Sequence, residues 1–165
     1  MEPQPGPGTP HLPLRPQRHE ALVSVRRTAA CIDRRLAHAV APAGISVQQL
    51  NILAILRPAG TVGMPTMSIA DRLVERAPGI TRLLDAMERR GLVTRARGSD
   101  RRKVVCQVTS KGLRLLESLD REIDEINQQI FAPLTRNEVA AVVHLLERVC
   151  TALDRAESER NQGNG

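Results

Sequence analysis

From about Glu20 the apolar residues return in steps of three and four. Leu22, Val25, Ala29, Ile32, Leu36 and Ala39 share one side of a helix, with Arg26, Arg27, Asp33, Arg34 and Arg35 elsewhere. The pattern predicts a helix over about 20–41, stopped by Pro42 and Gly44. A second helix opens on the capping box Ser46-Val47-Gln48-Gln49, turns Leu50, Leu53 and Leu56 toward a core, and ends at Pro58 and Gly60. Residues 58–65 read as a loop. Thr66 reads as the N-cap of a short third helix reaching about Glu75, which packs Ile69, Ala70 and Leu73. In "APGITRLLDAMERRG", Pro78 suits a first helical turn and Gly91 the left-handed residue past the end. Ile80, Leu83, Leu84 and Met87 form the apolar face, opposite Gly79, Thr81, Arg82, Asp85, Ala86 and Arg89.

The period then changes from helical to alternating. Leu92 to Arg97 and Lys103 to Thr109 read as two strands, with Val104, Cys106 and Val108 on one face of the second. Thr109 is placed to cap a long helix over about 110–131, carrying Leu116, Leu119, Ile123, Ile126 and Ile130. Pro133 breaks it, and the box Thr135-Arg136-Asn137-Glu138 opens another over about 135–157, with Val139, Val142, Leu146, Val149 and Leu153. Two short helices followed by a hairpin describe a winged helix-turn-helix, the helix-turn-helix over about 66–90 and the wing over 92–109. The fold class is therefore mainly α with a small β-hairpin wing. Seam-bearing helices at both ends of the chain need a partner surface, which a two-fold dimer supplies.

Composition sharpens this picture at the termini. Six of the eleven prolines lie in the first sixteen residues, so 1–19 read as a disordered Pro/Gly-rich arm, and 158–165 as a disordered tail. No apolar stretch resembles a signal peptide or a membrane span, which makes a cytoplasmic location the default expectation and sets a membrane partner aside.

Charge adds a direction. Residues 66–111 hold eleven Lys or Arg against five acids, whereas residues 112–165 hold six against ten. The basic middle asks for a polyanion, nucleic acid first and an anionic membrane second. With one Phe and neither Tyr nor Trp, the chain lacks the stacking platforms of single-strand and RNA binders. Its cations crowd a hairpin and short helices rather than an amphipathic membrane helix. No nucleophile motif, phosphate-cradling glycine loop or metal-ligand spacing stands out, so neither an enzyme nor a bound cofactor or metal is expected. Cys31, Cys106 and Cys150 form an odd set without C-x-x-C spacing and read as reduced, mostly buried thiols.

The stretch from Met67 to Gly112, with "IADRLVERAPGITRLLDAMERRGLVTRARGSDRRKVVCQVTSKG", resembles the MarR family of bacterial transcription regulators. The Asp100-Arg101-Arg102 wing sequence looks like the family's Asp-x-Arg signature, and Thr109-Ser110-Lys111-Gly112 like its Thr-x-x-Gly helix start. The order of elements agrees over about 20–157, which the resemblance makes one MarR-type domain. It implies a homodimer, joined by its terminal helices, that sets each winged helix on half of a palindromic operator in double-stranded DNA.

Most members repress, and many release DNA when a small-molecule effector binds. Candidate DNA-contacting residues are then Thr66, Ser68, Pro78, Gly79, Thr81, Arg82, Arg95, Arg97, Asp100, Arg101, Arg102 and Lys103. By the family pattern Pro78, Gly79, Thr81 and Arg82 sit at the major groove, and Arg102 enters the minor groove, steadied by Asp100. Arg95, Arg97, Arg101 and Lys103 then act as phosphate clamps. Two alternatives stay open: a thiol-based redox regulator acting through Cys31 in the first helix, and a helical dimerisation protein that binds no DNA.

Overall fold

In the computed structural model the described residues are 14–73, 79–97 and 104–162. They form six α-helices and three strands: α1 (Leu14–Val40), α2 (Val47–Leu56), β1 (Met64–Pro65), α3 (Thr66–Arg72), α4 (Ile80–Arg89), β2 (Val93–Arg97), β3 (Val104–Val108), α5 (Ser110–Phe131) and α6 (Arg136–Gln162). The chain divides into two compact units between Ile123 and Asp124, and α5 runs from the first into the second.

The first unit holds the core. Ile52, Leu53 and Leu56 of α2, Ile69 of α3, Leu84 and Met87 of α4, Leu92 and Val93 at the start of the hairpin, Cys106 of β3, and Leu116 and Leu119 of α5 are all buried in one cluster. Local chemistry sets where its elements begin and stop. Ser46 Oγ accepts from the Gln49 amide while the Gln49 side chain accepts from the Ser46 amide, the reciprocal box expected of that sequence. At the end of α4, Gly91 turns left-handed at φ 69°. Leu92 N donates to Met87 O at 2.9 Å and Gly91 N to Glu88 O at 2.8 Å, a Schellman stop whose two apolar residues, Met87 and Leu92, are both buried.

Several boundaries differ from expectation. Helix α1 begins at Leu14 rather than near Glu20, so residues 14–19 are not part of an arm. Pro16 is tolerated because the first-turn amides have no intrahelical acceptor to lose. Helix α6 continues to Gln162, through most of the expected tail. Helix α3 ends at Arg72, short of Glu75. Thr66 is not a cap: Pro65 precedes the helix, and the Thr66 hydroxyl donates instead to Val104 O at 3.2 Å.

The expected loop over 58–65 contains a strand. Met64 pairs with Cys106 and Pro65 with Val105, giving an antiparallel sheet in the order β1–β3–β2. Gly63, at φ 71°, makes this approach possible, since a Cβ there would lie 2.6 Å from Cys106 O and 2.5 Å from Gln107 Cγ. Two residues are too few to show alternation, so no period announced β1.

The start of α5 explains the Thr-x-x-Gly sequence. The Thr109 hydroxyl donates to Gly91 O at 2.7 Å and Leu92 O at 3.1 Å, and accepts from Gly112 N at 3.0 Å. Gly112 packs directly on the strand, where a Cβ would sit 2.3 Å from Leu92 O. One threonine thus caps α5 and ties it to the hairpin's base.

Each terminal helix carries exposed apolar side chains. On α1, Ala39 and Val40 are buried, while Leu22 and Val25 of the predicted seam are about half exposed or more. In the second unit α6 opens on the expected box, with Thr135 N donating to Glu138 Oε2 at 2.7 Å and Glu138 N to Thr135 Oγ1 at 3.3 Å. The Thr135 amide and, at 2.8 Å, the Thr135 hydroxyl both donate to Glu138 Oε2 and hold that carboxyl below the usual carboxylate range. Leu145, Leu146, Val149 and Leu153 of α6 remain exposed.

Candidate nucleic-acid interface

Helix α4 has the amphipathic split of a helix lying on a core. Leu84 and Met87 are fully buried, Ile80 and Leu83 half-buried, and Thr81, Arg82 and Arg89 exposed. The helix starts at Ile80, so Gly79 is its N-cap, at φ 123° and ψ 20°. An added Cβ there would meet nothing within 4 Å, so glycine is required by the backbone conformation rather than by crowding. Gly79, Thr81 and Arg82, exposed at this helix start, form a surface suited to phosphate and base edges. Pro78 lies outside the described residues.

At its other end α4 is tied down by Arg90. Its guanidinium donates to Ala43 O at 3.0 Å and to Gly44 O, fastening the helix to the turn after α1. Lys111 Nζ donates to Arg90 O at 2.8 Å.

The wing meets α4 through one arginine. Arg95, expected to clamp phosphate, instead pairs within the protein: Nε donates to Glu88 Oε2 at 3.0 Å, and Nη2 to Glu88 Oε2 at 2.7 Å and Asp85 Oδ1 at 2.5 Å. Its own amide donates to Glu88 Oε1 at 3.0 Å. The reason is strand parity. Arg95 shares a face with buried Val93, whereas Thr94 and Ala96 face solvent. The Arg95 hydrogen bond holds the Glu88 carboxyl below the usual carboxylate range, and the two acids raise the already high Arg95 value. Asp85 and Glu88, absent from the sequence-based candidates, are thus part of the site. Their signal was the i, i+3 spacing beside Thr81 on one helix face.

Thr66, Ser68, Thr81 and Arg95 come together. With Pro65, Met67 and Val104 they line a cleft of about 370 Å³ between α3, the start of α4 and the hairpin. Asp100, Arg101, Arg102 and Lys103 lie outside the described residues, as does the side chain of Arg97.

Among the thiols only Cys106 is buried; Cys31 and Cys150 are exposed, against the expectation of mostly buried thiols. Both exposed thiols lie on the terminal helices, Cys31 on α1 and Cys150 on α6, which also carry exposed apolar side chains. Arg34 Nη2 donates to Cys31 Sγ at 3.1 Å. Burial pushes the Cys106 thiol up to about 11, the nearby Arg95 cation opposing and Glu88 reinforcing the shift. A thiol so rarely ionised is a poor nucleophile. Cys106 is therefore expected to resist iodoacetamide in the native protein and to react only on unfolding, checked by mass spectrometry of timed labelling; modification as fast as Cys31 would contradict its burial.

Among the described residues no His, Cys, Asp and Glu side chains gather as a metal site, and no single helix is long and apolar enough to cross a membrane.

Three kinds of likeness converge on one family. The MarR family model matches residues 45–104. The chain is 32% identical over 128 residues to the homoprotocatechuate degradative operon repressor of Escherichia coli, covering 77% of this chain and 83% of the relative. It is similar in structure to a MarR transcription factor from Planctomyces limnophilus, at TM-score 0.60 and 34% identity over 78% of this chain and 94% of that one. It also shares the fold of a cysteine-to-serine mutant of E. coli MarR complexed with operator DNA, at TM-score 0.72 and 24% identity over 84% of this chain and 99% of that one. On the identity and coverage of these relatives, together with its helix-turn-helix and three-stranded wing sheet, the chain belongs to the MarR family.

Proposed function

We propose that the protein is a sequence-specific double-stranded DNA-binding transcription regulator, a homodimeric repressor that a small-molecule effector releases from a palindromic operator. The observation that carries this reading is the Gly79-capped start of α4, which exposes Thr81 and Arg82 beside a wing in the most basic third of the chain. In this reading Arg82 reads a guanine edge, Thr81 meets a thymine methyl or a phosphate, and Thr66 and Ser68 flank the backbone. The wing cations Arg97, Arg101 and Lys103 hold phosphates, and Arg102 enters the minor groove beside Asp100. Arg95 is withdrawn from the phosphate clamps, because its guanidinium already serves two carboxylates.

The dimer is supported by two bare faces, each considered on its own helix: Leu22, Val23 and Val25 on α1, and Leu145, Leu146, Val149 and Leu153 on α6. Contiguous apolar surface of this kind marks an interface. Repression accords with the E. coli relative, which is a repressor by name. Two recognition helices about one duplex turn apart would occlude a promoter, and a ligand that changed their spacing would forfeit one half-site.

The test is anisotropy of labelled DNA near physiological salt, with the native upstream duplex against a shuffled one of equal length. A gap of roughly a thousandfold or more is expected. Weak, equal and steeply salt-dependent binding to both would overturn sequence-specific regulation at that site.

A second reading, thiol-based control through Cys31, is favoured by that residue's exposure and its Arg34 contact. DNA affinity unchanged by peroxide and by Cys31 alkylation would remove it.

A further inference from the structure

The hairpin is held from two sides by different means. On one side β3 pairs with β1, Thr66 Oγ1 donates to Val104 O at 3.2 Å, and Gln107 Nε2 donates to Thr61 O at 2.5 Å. On the other, β2 is the edge of the sheet, and an edge strand presents amides without strand partners. Glu88 fills that role: one carboxylate oxygen accepts the outward amide of Arg95, and the other accepts its guanidinium, which also reaches Asp85. A planar five-donor fork gripping two carboxylates one helical turn apart restricts orientation as well as distance. The acids are 37% and 38% exposed and the arginine 21%, so solvent screens the network and its contribution to folding stability stays modest. The network's geometry is more exacting than its stabilising value requires.

We propose that Arg95, Asp85 and Glu88 are positioning residues that lock the wing to the recognition helix α4, so that groove contacts made by the helix and flank contacts made by the wing are read as one rigid unit. The inference rests on the DNA-binding reading above and deepens it. The lock sits within the strand that leads into the wing: from Arg95, β2 continues to Arg97 at about 3.3 Å per residue. A hairpin free to pivot about its β3 attachment would still fold, but each bound wing would first have to be ordered, and that cost would fall on DNA affinity. Lysine cannot replace the arginine, since an ammonium lacks the Nε–Nη2 fork that spans Glu88 and Asp85.

The experiment begins by letting wild-type protein select a duplex from a randomised pool. Affinities for that duplex, and for one whose outer flanks are exchanged for G·C pairs, are then measured for wild type, Arg95→Met, Arg95→Lys and Glu88→Gln, with the melting temperature of each. Wild type is expected to lose affinity when the flanks change. Arg95→Met should bind the selected duplex about tenfold more weakly, with little further loss on the changed flanks and a nearly unaltered melting temperature, the signature of coupled sites. Arg95→Lys should resemble Arg95→Met, and Glu88→Gln should fall between.

If Arg95→Met fails to fold, the flank sensitivity of Arg95→Lys and Glu88→Gln decides. Folded variants that keep wild-type flank sensitivity overturn the positioning role, whether affinity is retained or falls equally on both duplexes. A wild-type protein that enriches no sequence overturns the regulator reading, and this inference with it.

Discussion

Arg82→Ala is expected to abolish discrimination at one base position in each half-site while leaving the fold intact. Arg82 is the third residue of α4, exposed, and on the side away from buried Leu84 and Met87. A bidentate arginine on a guanine edge contributes about 1–3 kcal/mol of discrimination, and a palindrome engages two such residues, so the dimer loses about 2–6 kcal/mol. That is roughly 30-fold to 10⁴-fold in specific affinity. Titration of the variant against the selected duplex and against each single-base change inside the half-site gives the answer. Relaxed preference confined to one position assigns the contact; an equal loss on selected and shuffled duplexes reduces Arg82 to a phosphate contact. Its melting temperature should stay close to wild type, because substitutions at exposed positions rarely shift stability.

Gly112→Val is expected to be the most damaging single change to the fold at a surface of contact between elements. The first atom added meets a backbone carbonyl, Leu92 O, at 2.3 Å, and then Val108 Cγ2 at 2.9 Å. A carbonyl that also accepts from Thr109 cannot swing aside without loosening the hairpin base and the α5 cap together. Overpacking of this kind costs about 3 kcal/mol or more, which for a chain of this size lowers the melting temperature by roughly 6–12 °C. Gly112→Ala should fall in the same direction with a smaller drop. Thermal unfolding followed by circular dichroism checks both, with Ser110→Ala, at an exposed position, as the neutral control. A valine variant as stable as wild type would mean that the junction between Leu92 and α5 is not close-packed.

The two predictions separate surface from scaffold within forty residues of sequence. The exposure of Arg82 at the start of α4 is legible in the amino-acid sequence alone, because it falls opposite the apolar stripe of Ile80, Leu83, Leu84 and Met87. Gly112 is legible there only as part of a motif; glycine is demanded because Leu92 O stands against it, a contact between segments twenty residues apart. Arg95 shows the opposite outcome. Its charge places it among phosphate clamps, and its parity with Val93 argues against that, yet nothing in the sequence says that Glu88 and Asp85 stand across from it at hydrogen-bonding distance. The thiols divide in the same way. Three similar apolar contexts in sequence become one buried side chain and two exposed ones, because burial depends on which helix faces find a cover.

What the sequence determined by itself is everything that a few consecutive residues can specify: the helical period of α1, α2, α4, α5 and α6, the alternating period of the hairpin, the two capping boxes, and the left-handed glycine that ends α4. These features arise from backbone dihedrals and side chains within one or two turns of each other. Only the tertiary structure decided the short strand β1 laid beside β3, the grip of Arg90 on carbonyls 46 and 47 residues away, the donation of Arg57 Nη1 to both carboxylate oxygens of Asp120 at a separation of 63, and the allegiance of Arg95 to the recognition helix. Such contacts come from segments brought together by burying a shared core, and a polar side chain then takes whichever partner the packing leaves within reach.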